Sequence, residues 1–376
     1  MKILLFVSLA ISAFFLLLSC SKEKSPIELP EKPEEETINE FVPGRVVVAY
    51  VTNYSSAVPD PNFVTHICYA FAEVYVVDGV YKKIKLEGTE SRFKSIVDLK
   101  KSHPDLKILL SFTHVTDNND NSQGGGFSAI AKSDEYRKMF ASDCLEFIKQ
   151  WGIDGIDLDW EFPGISWSGH ASDPQVDVQN HVLLMKQLRE TLGESYLLTY
   201  AGYIRDKQAT NSGGYKYIDV SAVDPYIDFV NIMTYDMDEA PKAHNALRDS
   251  RAYWDCERAI NAYIKAGVSP SKLVLGIPFY GRRSFSASPT AIKYNKIISL
   301  GSEYKIDNWD TNASVPYVTK NGVYYCSYDN AKSISIKGKW LLSKKMKGMM
   351  YWSYDGDDNK GTLRKAVWNA VMSNGN

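Results

Sequence analysis

The chain has 376 residues and a formal net charge of -2, with 43 basic side chains against 45 acidic ones. This balance argues against a nucleic acid or another strongly charged partner, and the length suits one large domain or two smaller ones. Aromatic residues make up 12% of the chain, with 24 Tyr and 8 Trp, so flat amphipathic rings are plentiful.

At the N-terminus, Lys2 precedes an apolar run from Ile3 to Leu18. The run is too short for a spanning helix and predicts a signal peptide over residues 1–19. Leu17-Leu18-Ser19-Cys20 resembles the bacterial lipobox, which implies lipidation at Cys20 and export to the outer membrane. Residues 20–43 are rich in Glu, Lys and Pro and predict a flexible tether. The folded domain is expected over 44–376.

Beyond the tether, strand-like runs alternate with helical ones. Strands are predicted at Arg45–Tyr50, His66–Phe71, Leu106–Phe112, Ile153–Asp159, Tyr196–Gly202, Phe229–Met233, Leu273–Pro278 and Gly348–Ser353. Helices are predicted around Ser91–Ser102, Asp134–Gln150, Val178–Leu192 and Asn330–Lys345. Eight strands interleaved with helices predict a parallel (β/α)8 barrel. No Gly-rich turn follows the first strand, which disfavours the alternative of an open doubly wound sheet. The interval after Pro278 is longer than one helix needs. Its Tyr- and Val-rich runs, broken by Asn, Gly and Asp, predict a small insertion at about 283–329. Cys68, Cys144, Cys256 and Cys326 are widely spaced and read as buried free thiols.

The fourth strand is the exception among these apolar runs. Asp157, Asp159 and Glu161 alternate with Ile156, Leu158 and Trp160, giving one acidic and one apolar face. Carboxylates confined together repel, so at least one is expected to keep its proton near neutral pH, as a general acid must. A solvated edge strand and a metal site are the plainer readings, and the missing His partners weigh against zinc. In a barrel of this kind the strand C-termini build the active site. Glu161, Tyr235, Asp236, Tyr280, Arg282 and Trp352 all fall at such ends.

Asp154-x-x-Asp157-x-Asp159-x-Glu161 resembles the signature of the family 18 glycoside hydrolases, the chitinase-type group. The runs Thr65–Phe71, Met233–Asp236, Gly276–Arg282 and Met350–Asp355 are similar to further strands of that family, in the same order. The resemblance implies hydrolysis of β-1,4-linked N-acetylglucosamine chains with retention, the substrate's acetamido group acting as nucleophile. It implies Glu161 as the acid, Asp159 as the acetamido partner, Asp157 sharing a proton with Asp159, and Tyr235 as a donor to the acetamido oxygen. Trp352 would floor the sugar site, with Met233, Asp236, Arg282, Tyr280, Tyr50 and Phe71 around it. Asp154 reads as structural.

One departure stands out. The family's third strand usually ends Ser-x-Gly-Gly, whereas here it reads Ser111-Phe112-Thr113-His114. His114 is then either a substrate contact or a plain loop residue, and Tyr54 stands near where chitinases often carry Trp. Two other functions compete: an endo-β-N-acetylglucosaminidase acting on N-glycan cores, and a glycan-binding protein without turnover. The expected protein is a monomer with no cofactor, no metal and no nucleic-acid partner.

Overall fold

A computed structural model describes residues 38–113, 126–165, 171–204 and 217–374. The signal segment, Cys20 and His114 therefore lie outside the described residues, as does the tether before residue 38. Among the described residues there are fourteen strands. The first eight are β1 (Val46–Thr52), β2 (His66–Val77), β3 (Val80–Leu86), β4 (Lys107–Thr113), β5 (Gly155–Asp159), β6 (Leu197–Gly202), β7 (Phe229–Ile232) and β8 (Leu273–Pro278). They continue with β9 (Tyr280–Arg282), β10 (Ala291–Lys293), β11 (Tyr304–Asp310), β12 (Val315–Lys320), β13 (Val323–Ser327) and β14 (Gly348–Trp352).

Parallel pairing runs β1-β2-β4-β5-β6-β7-β8-β14, and β14 pairs back with β1. The result is the closed eight-stranded parallel barrel expected from the alternation of runs. A strand packed on both faces has no side to give to water, so β1 and β8 are buried along their whole length. The apolar face of β5 points outward. There Trp160 stacks on Phe127 with ring centroids 5.4 Å apart.

The helix Asp134–Trp151 delivers the chain to β5. Ser133 caps it by accepting from the Tyr136 amide, Asp134 and Glu135 fill its first turn, and Gly152 ends it. Asp154 then clips the lower end of the barrel. Its Oδ2 accepts from the Ile108 amide at 2.8 Å and from Lys100 Nζ at 2.5 Å.

Two features depart from the sequence expectation. The helix predicted to Ser102 stops at Val97, and a 3-10 turn covers Asp98–Lys101. β2 also runs past the barrel to Val77 and folds back antiparallel as β3, with Val77 opposite Val80. The two linking residues, Asp78 and Gly79, have φ of 52° and 73°, the conformation a tight hairpin selects.

The insertion forms a separate five-stranded sheet in the order β10-β9-β13-β12-β11, with the short helix Tyr294–Ile297. Its β9 and β10 stand beside the barrel mouth. The four cysteines are free and buried, as expected.

Candidate active site

A cavity of about 760 Å³ opens at the C-terminal ends of the barrel strands. Asp159 and Glu161 are at its floor, with Tyr235, Met233 and Asp236 from the turn after β7. Tyr50, Phe71 and Trp352 line another side, and Tyr280 and Arg282 of β9 a third. Of the residues given a catalytic or sugar-binding role above, Asp157 alone stands behind this wall.

Asp157 is fully buried in the barrel interior. Its Oδ2 accepts from Tyr50 Oη at 2.8 Å and Ser111 Oγ at 2.7 Å. Its Oδ1 accepts from Thr199 Oγ1 at 2.6 Å and Asn231 Nδ2 at 3.4 Å. These donors come from β1, β4, β6 and β7, so closure of the barrel is what assembles the cage. Burial pushes the Asp157 carboxyl up, and its side-chain donors offset only part of that rise.

Asp159 is turned the other way. It is in hydrogen-bond contact with Glu161, and its Oδ1 has no partner among the described residues. Burial, then the charges of Glu161 and Asp157, push its carboxyl well above the usual range. The expected contact between Asp157 and Asp159 is not among the hydrogen bonds of Asp157, and Asp159 is instead bonded to Glu161. The reason is that the oxygens of Asp157 are already occupied by neutral donors.

Glu161 is pushed up to about 7, chiefly by burial, with the hydrogen bond to Asp159 opposing and the charge of Asp236 adding to the rise. A carboxyl so placed holds its proton near neutral pH and can still release it, which is what general acid work demands.

The turn after β7 is fixed from below. Thr234 is buried and its hydroxyl donates to the Gly276 carbonyl at 2.8 Å. A Cβ on Gly276 would stand 2.4 Å from the Ile232 carbonyl oxygen and 2.9 Å from Tyr235 Cε1. Only glycine lets β8 approach closely enough for the Tyr235 ring to lie where it does. The Tyr235 hydroxyl lies 4.0 Å from Met350 Sδ.

Asp236 carries the charge of the opposite wall. Its carboxylate accepts from Tyr280 Oη at 2.8 Å and from Arg282 Nε at 2.7 Å, with a second bond from Arg282 Nη2. Burial alone would raise this group, but the bonds from His244 and Arg282 hold it well below the usual carboxylate range. Across the cavity Trp352 stacks on Phe71 at 5.7 Å and tilts against Tyr50 at 5.7 Å.

Over residues 46–357 the chain matches the family described as glycosyl hydrolases family 18. The chain belongs to that family. It is similar to Chitinase A1 of Niallia circulans, 27% identical over 84% of this chain and 56% of that protein. The chain thus spans little more than half of that relative's length. Among solved structures it is similar to a glycoside hydrolase family 18 N-acetylglucosaminidase from Paenibacillus barengoltzii. That likeness has a TM-score of 0.72 at 26% identity and covers 87% of this chain and 100% of that one. It is also similar to the group IV chitinase of Ostrinia furnacalis in complex with allosamidin. Here the TM-score is 0.70 at 25% identity, covering 87% of this chain and 97% of the other.

Sequence reasoning gave no site role to several residues of this family 18 glycosidase. Thr113, Tyr203, Phe285 and Lys293 also line the cavity. Thr199, Asn231 and Ser111 had a readable signal, being polar residues inside otherwise apolar strands. Thr113 stands where the family's usual turn has glycine, and its side chain occupies the wall beside Asp159. Lys293 pairs with Asp355 across the rim, a contact that spacing along the chain does not reveal.

Proposed function

We propose that this protein hydrolyses β-1,4 bonds of N-acetylglucosamine-containing glycans, chitin or its oligosaccharides, by a retaining, substrate-assisted mechanism. The observation that carries the reading is the Glu161 carboxyl, proton-holding to about 7 and in contact with Asp159 at the cavity floor. Glu161 gives its proton to the glycosidic oxygen as the C1–O bond breaks. The acetamido carbonyl oxygen attacks C1 from the other face, forming an oxazolinium ion. Asp159 accepts from the acetamido N–H through Oδ1, and the single negative charge left on the Asp159–Glu161 pair once Glu161 has given up its proton balances the positive charge, while Tyr235 donates to the acetamido oxygen. Water then adds at C1, the Glu161 carboxylate takes its proton, and the acetamido group is restored. An internal nucleophile held in place is worth up to roughly 7–11 kcal/mol of the barrel site's task. Trp352 supplies an apolar floor for a sugar face. Asp157, caged by its neutral donors, is fixed behind Asp159.

A second reading rests on Thr113. A side chain in place of glycine changes the wall beside Asp159, and the alternative substrate for such a wall is the chitobiose core of an N-glycan. Lipidation at Cys20 and attachment of the monomer to the bacterial outer membrane belong to the same proposal. Incorporation of labelled palmitate that disappears in Cys20→Ala tests that part.

The mature protein is incubated with chitin oligosaccharides and with an N-glycosylated protein, and products are read by mass spectrometry. Small N-acetylglucosamine oligomers from the first substrate alone are expected. Glycans released with one N-acetylglucosamine left on the protein would favour the second reading. Binding of both without products would leave a glycan-binding protein. Glu161→Gln is expected to lower turnover by roughly 10²–10⁴-fold, as loss of a general acid does, while binding allosamidin as the wild type does.

A further inference from the structure

His244 is wholly buried and takes no part in the mechanism above. Its Nδ1 lies 3.0 Å from Asp236 Oδ1 and 3.2 Å from the Asp236 amide nitrogen. Only one of these can be served at a time. A lone pair on Nδ1 would face a carboxylate oxygen at hydrogen-bond distance, which is repulsive. It would also put the proton on Nε2, which has no hydrogen-bond partner among the described residues. Protonation at Nδ1 instead leaves the Asp236 amide without this acceptor, but Asp236 is only half-buried whereas Nε2 is wholly buried, and the carboxylate is the stronger acceptor. The favoured form is therefore neutral, protonated at Nδ1. Burial keeps the ring from gaining a second proton, although the bond to Asp236 works in the opposite sense.

The backbone that carries the ring is fixed on both sides. The His244 amide donates to Ser327 Oγ of β13 at 3.0 Å, and its carbonyl accepts from the Met237 amide at 3.1 Å. The Tyr280 ring lies 5.5 Å away. Next along the chain, Asn245 donates to Asp329 at 2.7 Å, and Asp329 is fixed by the fully buried Lys337. Asp236 itself has φ of 54°, in the left-handed region, so its backbone alone does not hold it in place.

We propose that His244 is a positioning residue for the reaction, its Nδ1–H holding Asp236 so that the Asp236–Arg282–Tyr280 group keeps its place on the cavity wall. The insertion thereby acts on the sugar site through a residue that never touches the sugar. This rests on the functional reading given above.

The test is a double-mutant cycle on N-acetylglucosamine oligosaccharides. His244→Ala is expected to lower kcat/KM about tenfold in the wild-type background and less than about twofold in Asp236→Asn. Equal losses in both backgrounds would overturn the proposal. His244→Asn, whose amide N–H stands near the place of Nδ1–H, is expected to recover most of the activity. His244→Gln, which reaches toward the place of Nε2, is expected to recover little. Equal rescue by the two also overturns it, and this contrast does not depend on the alanine variant folding. A readout free of substrate is 15N NMR of histidine-labelled protein at pH 7, where a neutral Nδ1–H tautomer is expected for His244. An Nε2–H tautomer refutes the pairing whatever the turnover. An Nδ1–H tautomer in a wild type that turns over nothing would instead sink the functional reading and leave the pairing intact.

Discussion

A carboxyl that gives up a proton near neutral pH must be charged less readily than one in water. Glu161 reaches that state by burial, with the Asp236 charge adding to the effect, and its proton is held to about 7. The acid form is the working one, so kcat/KM is expected to fall as pH rises through about 7, and a pH–rate profile checks this. The same shift acts on stability. The folded chain binds this proton more tightly than the unfolded chain, whose carboxyl titrates near 4.5. Stability is therefore lost as pH climbs from about 4.5 to about 7, by something on the order of 3 kcal/mol. Glu161→Gln removes the penalty. Its Tm is expected to exceed that of the wild type above pH 7 and to match it near pH 4, as melting curves at the two pH values would show. An equal Tm at both would mean that Glu161 is not desolvated as described.

Elements matter here through how closely they approach. Gly276→Ala puts a Cβ against the Ile232 carbonyl and the Tyr235 ring. The expected cost is roughly 1–3 kcal/mol in chemical denaturation, with a fall in kcat because the ring is displaced. A variant with wild-type stability and rate would show that β8 can move away freely. Element by element, the sequence was informative where burial wrote it plainly. The eight barrel strands were legible because each is a short apolar run between polar helices, and the acid strand because its carboxylates alternate. The β2–β3 hairpin was not read, although Asp78-Gly79 marks it, because Lys82, Lys83 and Lys85 give β3 no apolar run. The Asp157 cage was half legible. Thr199 and Asn231 stand out as polar residues in apolar strands, but that they meet one carboxylate is a consequence of barrel closure, which no local pattern encodes. His244 left no trace at all, since its contact with Asp236 depends on how a loop without secondary structure folds against β13.

At the scale of the molecule, the barrel separates its stabilising end from its reacting end. Asp154 belongs to the same acidic run as Glu161, yet it ties Lys100 and the Ile108 amide at the foot of the barrel. Asp154→Ala is expected to cost roughly 1–3 kcal/mol of stability and to leave kcat and KM close to wild type below the melting range. Steady-state kinetics paired with denaturation would check both halves, and a large loss of kcat in a folded variant would break the separation. The insertion serves both roles, because β9 supplies Tyr280 and Arg282 to the mouth while β13 supports His244.

The central claim is that the substrate's own acetamido group attacks while Glu161 protonates the leaving oxygen. The most direct measurement is 1H NMR of the first product formed from N-acetylglucosamine oligosaccharides, alongside the matched glucosamine oligosaccharides that lack the acetyl group. The β-anomer is expected first from the acetylated series, with no cleavage of the deacetylated series. First appearance of the α-anomer, or equal cleavage of both series, would contradict that claim.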